Sequence, residues 1–169
     1  MGWWARLFGR EGKRSRERTP TASWQRGPCW KLSPLDNLVP FLRALPTLFP
    51  EGCVLYLEDG RRPRDVREFL EARTAPDARR IAPGTLLPRP TVYRMPLTRE
   101  NVDGLAALAE HHAFPELACH VHVYSGERVL LLWYDACADP IYVAREVPEE
   151  RVRAFCAEVG IPYEEVKDW

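Results

Sequence analysis

Apolar residues recur along the chain with two different periods, and the switches between them mark out the elements. Leu35, Leu38, Val39, Phe41, Leu42 and Leu45 follow helical spacing behind Ser33, a cap, and Pro34, at the first helical position; Pro40 and Pro46 shorten or bend this helix. Cys53 to Leu57 reads as a short buried strand ended by Glu58, Asp59 and Gly60. A helix is expected from about Pro63 to Arg73, with Val66, Phe69 and Leu70 facing inward. Residues 74 to 90, rich in Pro, Arg and Gly, form a long connection with a brief strand near Ile81.

Thr91 to Pro96 reads as a second strand. Thr98 caps a helix carrying Val102, Leu105, Ala106 and Ala109, which runs to about His112 and is blocked by Pro115. The clearest signal is a hairpin: Cys119 to Tyr124 alternates, Ser125 and Gly126 supply the turn, and Val129 to Tyr134 returns. Ile141 to Arg145 adds a strand. Pro148 then opens a helix with Val152, Phe155, Cys156 and Val159, closed by Gly160 in the position that favours a left-handed backbone. This order predicts an α+β fold: a mainly antiparallel sheet of four to five strands with helices on one face, forming a single domain over 32–169.

Composition sets bounds on this picture. A chain of 169 residues, 46% of them hydrophobic, buries roughly two thirds of its unfolded surface and folds without help from a metal or disulfide. No apolar run reaches the ~18 residues of a membrane span and no secretory leader pattern opens the chain, so a cytoplasmic protein is expected. The five cysteines form no CxxC pair and are odd in number, which favours free thiols over a disulfide framework.

Formal neutrality hides a division of charge. Residues 1–31 hold eight bases against Glu11 and Glu17, a net of +6, and the rest of the chain carries the balancing −6. The expectation is a basic, disordered or loosely docked N-terminal arm joined to an acidic body. Trp3, Trp4, Arg6 and Arg10 would be its contact residues. On a short helix the two tryptophans face one way with the arginines at the border, which suits an anionic membrane surface, a peripheral attachment, or a protein partner. Arginine and aromatic side chains also suit single-stranded nucleic acid. The plainer alternative has Trp3, Trp4, Trp24 or Trp30 folding back onto the body as an apolar clamp.

Two groups of residues carry candidate chemistry. All four histidines fall between 111 and 122. Hairpin pairing sets the start of one strand beside the end of the next, so His120 should approach the loop containing Asp135, Cys137 and Asp139, with His112 arriving from the preceding helix. His112, His120, Asp135, Cys137 and Asp139 are thus the candidate catalytic set for a small hydrolase. His112, His120 and His122 are the candidate ligands of a divalent transition metal such as zinc. Cys137, on a loop, is the thiol to test for reactivity. Arg61, Arg62 and Arg64 occupy a turn before a helix N-terminus, a candidate anion-binding site, although Arg64 with Glu68 and Arg67 with Glu71 are spaced for ordinary surface pairs. Because no motif fixes a catalytic geometry, the leading expectation is a non-enzymatic interaction module that binds a protein partner.

Overall fold

The predicted hairpin lies inside a larger sheet than its sequence suggests. The computed structural model describes residues 20–76, 79–82, 90–136 and 138–168. Its elements are β1 (Thr21–Ser23), β2 (Cys29–Leu32), α1 (Leu38–Leu48), β3 (Val54–Glu58), α2 (Arg64–Glu71), β4 (Arg80–Ala82), β5 (Val92–Pro96), α3 (Arg99–Ala109), α4 (Phe114–Leu117), β6 (His120–Ser125), β7 (Arg128–Trp133), β8 (Ile141–Ala144), α5 (Glu149–Val159) and β9 (Tyr163–Val166). The fold is α+β, with five helices and an open sheet of nine strands among the described residues, more than the four to five expected.

The main path runs β5-β3-β6-β7-β8-β2-β9, and every pairing along it is antiparallel. The short strand β1 lies off it, parallel to β4 and meeting β7 at Ser23 and Arg128.

Three of the additional strands were hidden by length and polarity. Cys29–Leu32 sits between β8 and β9, with Trp30 opposite both Val143 and Glu165. Its neighbour β9, Tyr-Glu-Glu-Val, carries little apolar signal because it lies at an edge, where charge guards against further pairing. Residues 21–31 therefore contribute two strands rather than extending an arm. Trp30 is buried, donates from Nε1 to the Val147 carbonyl at 3.1 Å, and meets Tyr163 edge-on. The expected contacts Trp3, Trp4, Arg6 and Arg10 fall outside the described residues, as does Cys137.

Strand alternation separates two cores. Leu55, Leu57, Val121, Val123, Leu131 and Trp133 share one cluster with Phe41, Leu45, Val102, Leu105 and Phe155 of α1, α3 and α5. Phe41 lies at the centre, 4.8 Å from the Trp133 ring and 5.9 Å from that of Phe155. Tyr56, Tyr124, Val129 and Leu132 instead join Ala22 of β1 and Ile81 of β4 in a smaller cluster.

Helix α1 starts later than expected. Asn37, not Ser33, is its cap, accepting from the Val39 N–H at 2.9 Å. Pro46 lies inside the last turn of the helix, where its missing N–H leaves the Leu42 carbonyl without the usual intrahelical bond, and the helix ends two residues later. The segment expected as a simple stop at Pro115 forms α4, with proline in its first turn and the Glu116 carboxylate accepting the Ala113 N–H at 2.8 Å. Gly160 closes α5 at φ 77°, as its position predicted.

Candidate functional site

The alternation read from Cys119 to Tyr124 places His120 and His122 on the sheet face opposite α1 and α5. Strand β3 runs beside them, setting Glu58 opposite His120 and Tyr56 opposite His122, while β7 sets Leu132 opposite His122. Glu58 keeps only 1% of its surface exposed and His122 none. Tyr134 packs against both imidazoles, its ring 5.4 Å from His120 and 4.9 Å from His122. The two histidine rings are nearly parallel, 6.4 Å apart.

Backbone donors from the end of β7 fix both rings. The Asp135 N–H donates to His120 Nδ1 at 3.0 Å, and the Trp133 N–H donates to His122 Nδ1 at 3.4 Å. Burial first, then the neighbouring His120, pushes the His122 pKa down to about 3, so this ring is neutral and carries its proton on Nε2. Burial chiefly, with help from Glu58, pushes the Tyr56 hydroxyl up to about 12 and also raises that of Tyr134. Within this group Oε1 of Glu58 and Nε2 of His122 have no hydrogen-bond partner.

The rim of the same sheet end is built from Asp59, Arg62, Cys119 and Asp135. Cys119 donates its N–H to the Glu58 carbonyl and accepts the Ala136 N–H, each over about 3 Å. Its thiol is raised by burial and by the Asp59 and Asp135 charges, against a smaller opposing effect of Arg62; a thiol held protonated is a weak nucleophile. Asp59 and Asp135 adopt positive φ, 51° and 39°, the two residues other than glycine that do so among those described. Aspartate tolerates this region better than most side chains.

The candidate residues separate on inspection. His120 and Asp135 come together as pairing predicted, with their side chains 3.8 Å apart. His112 goes elsewhere: its Nε2 meets the Asp65 carboxylate of α2 at 2.8 Å, lowering the Asp65 pKa, and its Nδ1 lies 3.7 Å from Glu116. Asp139 contributes its carbonyl to the Trp133 indole at 3.0 Å, and its side chain is exposed. Among the described residues no three of His, Cys, Asp and Glu converge as metal ligands.

The three arginines also part company. Arg61 is exposed and Arg64 pairs with Glu68 at 2.7 Å. Arg62 turns inward over the Tyr93 ring, 4.6 Å from its centroid, and donates to the Leu57 carbonyl at 3.3 Å. Its Nε and Nη1 are buried without partners, and burial lowers its pKa.

Two surface grooves lie away from all of these groups. One is lined by Pro46, Phe49, Leu97 and Arg99, the other by Ser33, Pro34, Pro140 and Tyr163. Comparisons with protein-family models, curated proteins and solved structures found no match. No helix among the described residues is long and apolar enough to cross a membrane.

Sequence reasoning missed Glu58 as the cross-strand neighbour of His120. The available signal was the alternation Val54, Tyr56, Glu58, the same apolar-to-polar progression toward the strand end that His120, His122 and Tyr124 show in reverse.

Proposed function

We propose that the chain is a non-enzymatic, cytoplasmic interaction module whose acidic α+β body binds a protein partner while its basic N-terminal segment makes a second contact. The observation that carries this reading is that three of the four histidines are held in fold contacts or buried. His112 is tied to Asp65, His120 accepts from the Asp135 backbone, and His122 is wholly buried. These contacts leave binding, rather than proton transfer to an external substrate, as the better-supported role. Before Pro20 the chain holds six bases and two acids, so this segment complements an acidic partner surface, an anionic membrane or a nucleic acid.

The test removes residues 1–19 and keeps Thr21–Ser23 and Cys29–Leu32, which pair with β4, β7, β8 and β9. Partner capture, sedimentation with anionic vesicles and oligonucleotide binding at low salt are compared with the full chain. The expected result is retained capture by the body with a weaker overall complex. Identical behaviour of the two proteins in all three assays removes the segment from the proposal.

A second reading, a small hydrolase using His120 and Asp135 with or without a metal, is favoured by one observation. Asp59 and Asp135 hold uncommon backbone conformations near Cys119, and such strain gathers at functional sites. Ester hydrolysis lost in His120→Gln, together with metal content of untagged protein, separates this reading from the first.

A further inference from the structure

We propose that the groove between the end of α1 and the starts of α3 and α5 is a binding site for a small organic carboxylate, held by Arg99 and Arg151. This inference goes beyond the partner contact proposed above and does not depend on it. It rests on two guanidinium groups that the fold brings to one opening and leaves without a counter-charge.

The opening has a volume of about 400 Å³, and Pro46, Phe49, Leu97, Arg99 and Arg151 all line it. Local hydrogen bonds fix the elements that carry these residues. The Leu97 N–H donates to the Cys53 carbonyl at 2.8 Å, and Thr98 Oγ1 accepts the Asn101 N–H at 3.3 Å, which sets where α3 begins. The Arg151 N–H donates to the Pro148 carbonyl at 3.0 Å in the first turn of α5. Elsewhere the fold pairs its arginines with acids: Arg43 meets Glu110, Arg145 meets Glu165 and Arg153 meets Glu149. Neither the Arg99 nor the Arg151 side chain makes an ion pair or hydrogen bond with another described residue. Two like charges facing one groove focus a positive potential in it, and an anion seated there meets both.

Charge and shape narrow the ligand class. Glu51 also lines the groove, so its charged groups are two positive and one negative, a net of +1. That balance suits a monoanion better than a doubly charged phosphate, and a metal cation would be repelled. The planar fork of a guanidinium matches the two oxygens of a carboxylate. A carboxylate alone would leave most of the volume unfilled. The remaining surface is apolar, with Phe49 and Leu97 buried at its base and Pro46 at its wall, and it favours an apolar body behind the charged head.

The experiment uses the full chain in low-chloride buffer and three probes: benzoate, its neutral counterpart benzamide, and inorganic phosphate. Nitrogen–proton correlation spectra follow the arginine Nε–Hε groups, and Arg99→Gln and Arg151→Gln assign the two signals. Benzoate should shift both along one saturating curve, while benzamide and phosphate bind more weakly. Each substitution should weaken benzoate about two- to fivefold, the range of an exposed ion pair. Both side chains are exposed, so the changes should leave the fold intact. If a variant fails to fold, benzoate against benzamide on the unaltered chain decides the matter. Equal affinity for these two probes, tighter binding of phosphate, or unchanged benzoate affinity in both variants would overturn the proposal. So would shifts spread equally over Arg26 and Arg61, or no saturating shift at all.

Discussion

The Asp135 N–H donates to His120 Nδ1 at 3.0 Å from a backbone with φ 39°. The bond therefore depends on a turn conformation that most side chains resist. Asp135→Gly should leave stability within about 0.5 kcal/mol of the parent, because glycine adopts this region freely. Asp135→Val should lose about 1–2 kcal/mol through β-branching at positive φ. Urea unfolding of the two variants checks the difference, and equal stabilities would show that the turn is not constrained.

His122 makes stability depend on pH with a definite sign. Its folded pKa, pushed down to about 3, lies below the ordinary value of 6.5. Between these values the unfolded chain binds the proton and the folded chain does not, so stability is fully present above pH 6.5 and falls as the solution is acidified toward 3. The total is on the order of a few kcal/mol. His122→Phe should flatten the slope between about pH 4.5 and 6.5, before most carboxylates titrate. Chemical denaturation across that window provides the measurement, and an unchanged slope would assign the acid sensitivity to another group.

Gly60 joins β3 to the turn before α2 at φ 138°, and a Cβ there would lie 3.2 Å from the Leu117 carbonyl carbon and oxygen. Backbone cannot move aside as a side chain can. Gly60→Ala should therefore cost about 2–4 kcal/mol, combining a disfavoured conformation with a close contact. A melting temperature within a degree or so of the parent would contradict this.

Gly104 presents the opposite balance. Alanine at this position in α3 gains about 1 kcal/mol of helix propensity, yet its Cβ would come within 2.8 Å of the Phe69 ring on α2. In the parent background Gly104→Ala should be neutral to destabilising by about 1 kcal/mol. Combined with Phe69→Ala the same change should become stabilising. A double-mutant cycle measures the coupling, which should exceed about 0.5 kcal/mol.

What the sequence revealed follows from the range of each signal. Alternation within Cys119–Tyr124 is local, and it correctly put His120 and His122 on one face. Helical spacing and Pro148 likewise located α5 to within a residue or two. The neighbours of that histidine face were less accessible, because Glu58 reaches it from a strand far earlier in the chain and only register brings them together. His112 looked equivalent to His120 by proximity in sequence. The α4 turn and the Asp65 carboxylate instead hold it in a separate pair. Short strands such as Tyr163–Val166 expose too many polar residues for periodicity to reveal them, and their placement comes from cross-strand partners such as Lys31 with Glu164 at 3.0 Å.

The seating of β2 between β8 and β9 has a consequence for biosynthesis. Cys29–Leu32 is synthesised long before Ile141–Ala144 and Tyr163–Val166, the two strands that flank it. Loop-closure entropy for such distant pairings slows folding. Nascent protein must therefore keep an apolar, tryptophan-bearing segment unpaired until Ile141–Ala144 and Tyr163–Val166 have been synthesised, and this interval is where chaperone dependence or aggregation should concentrate.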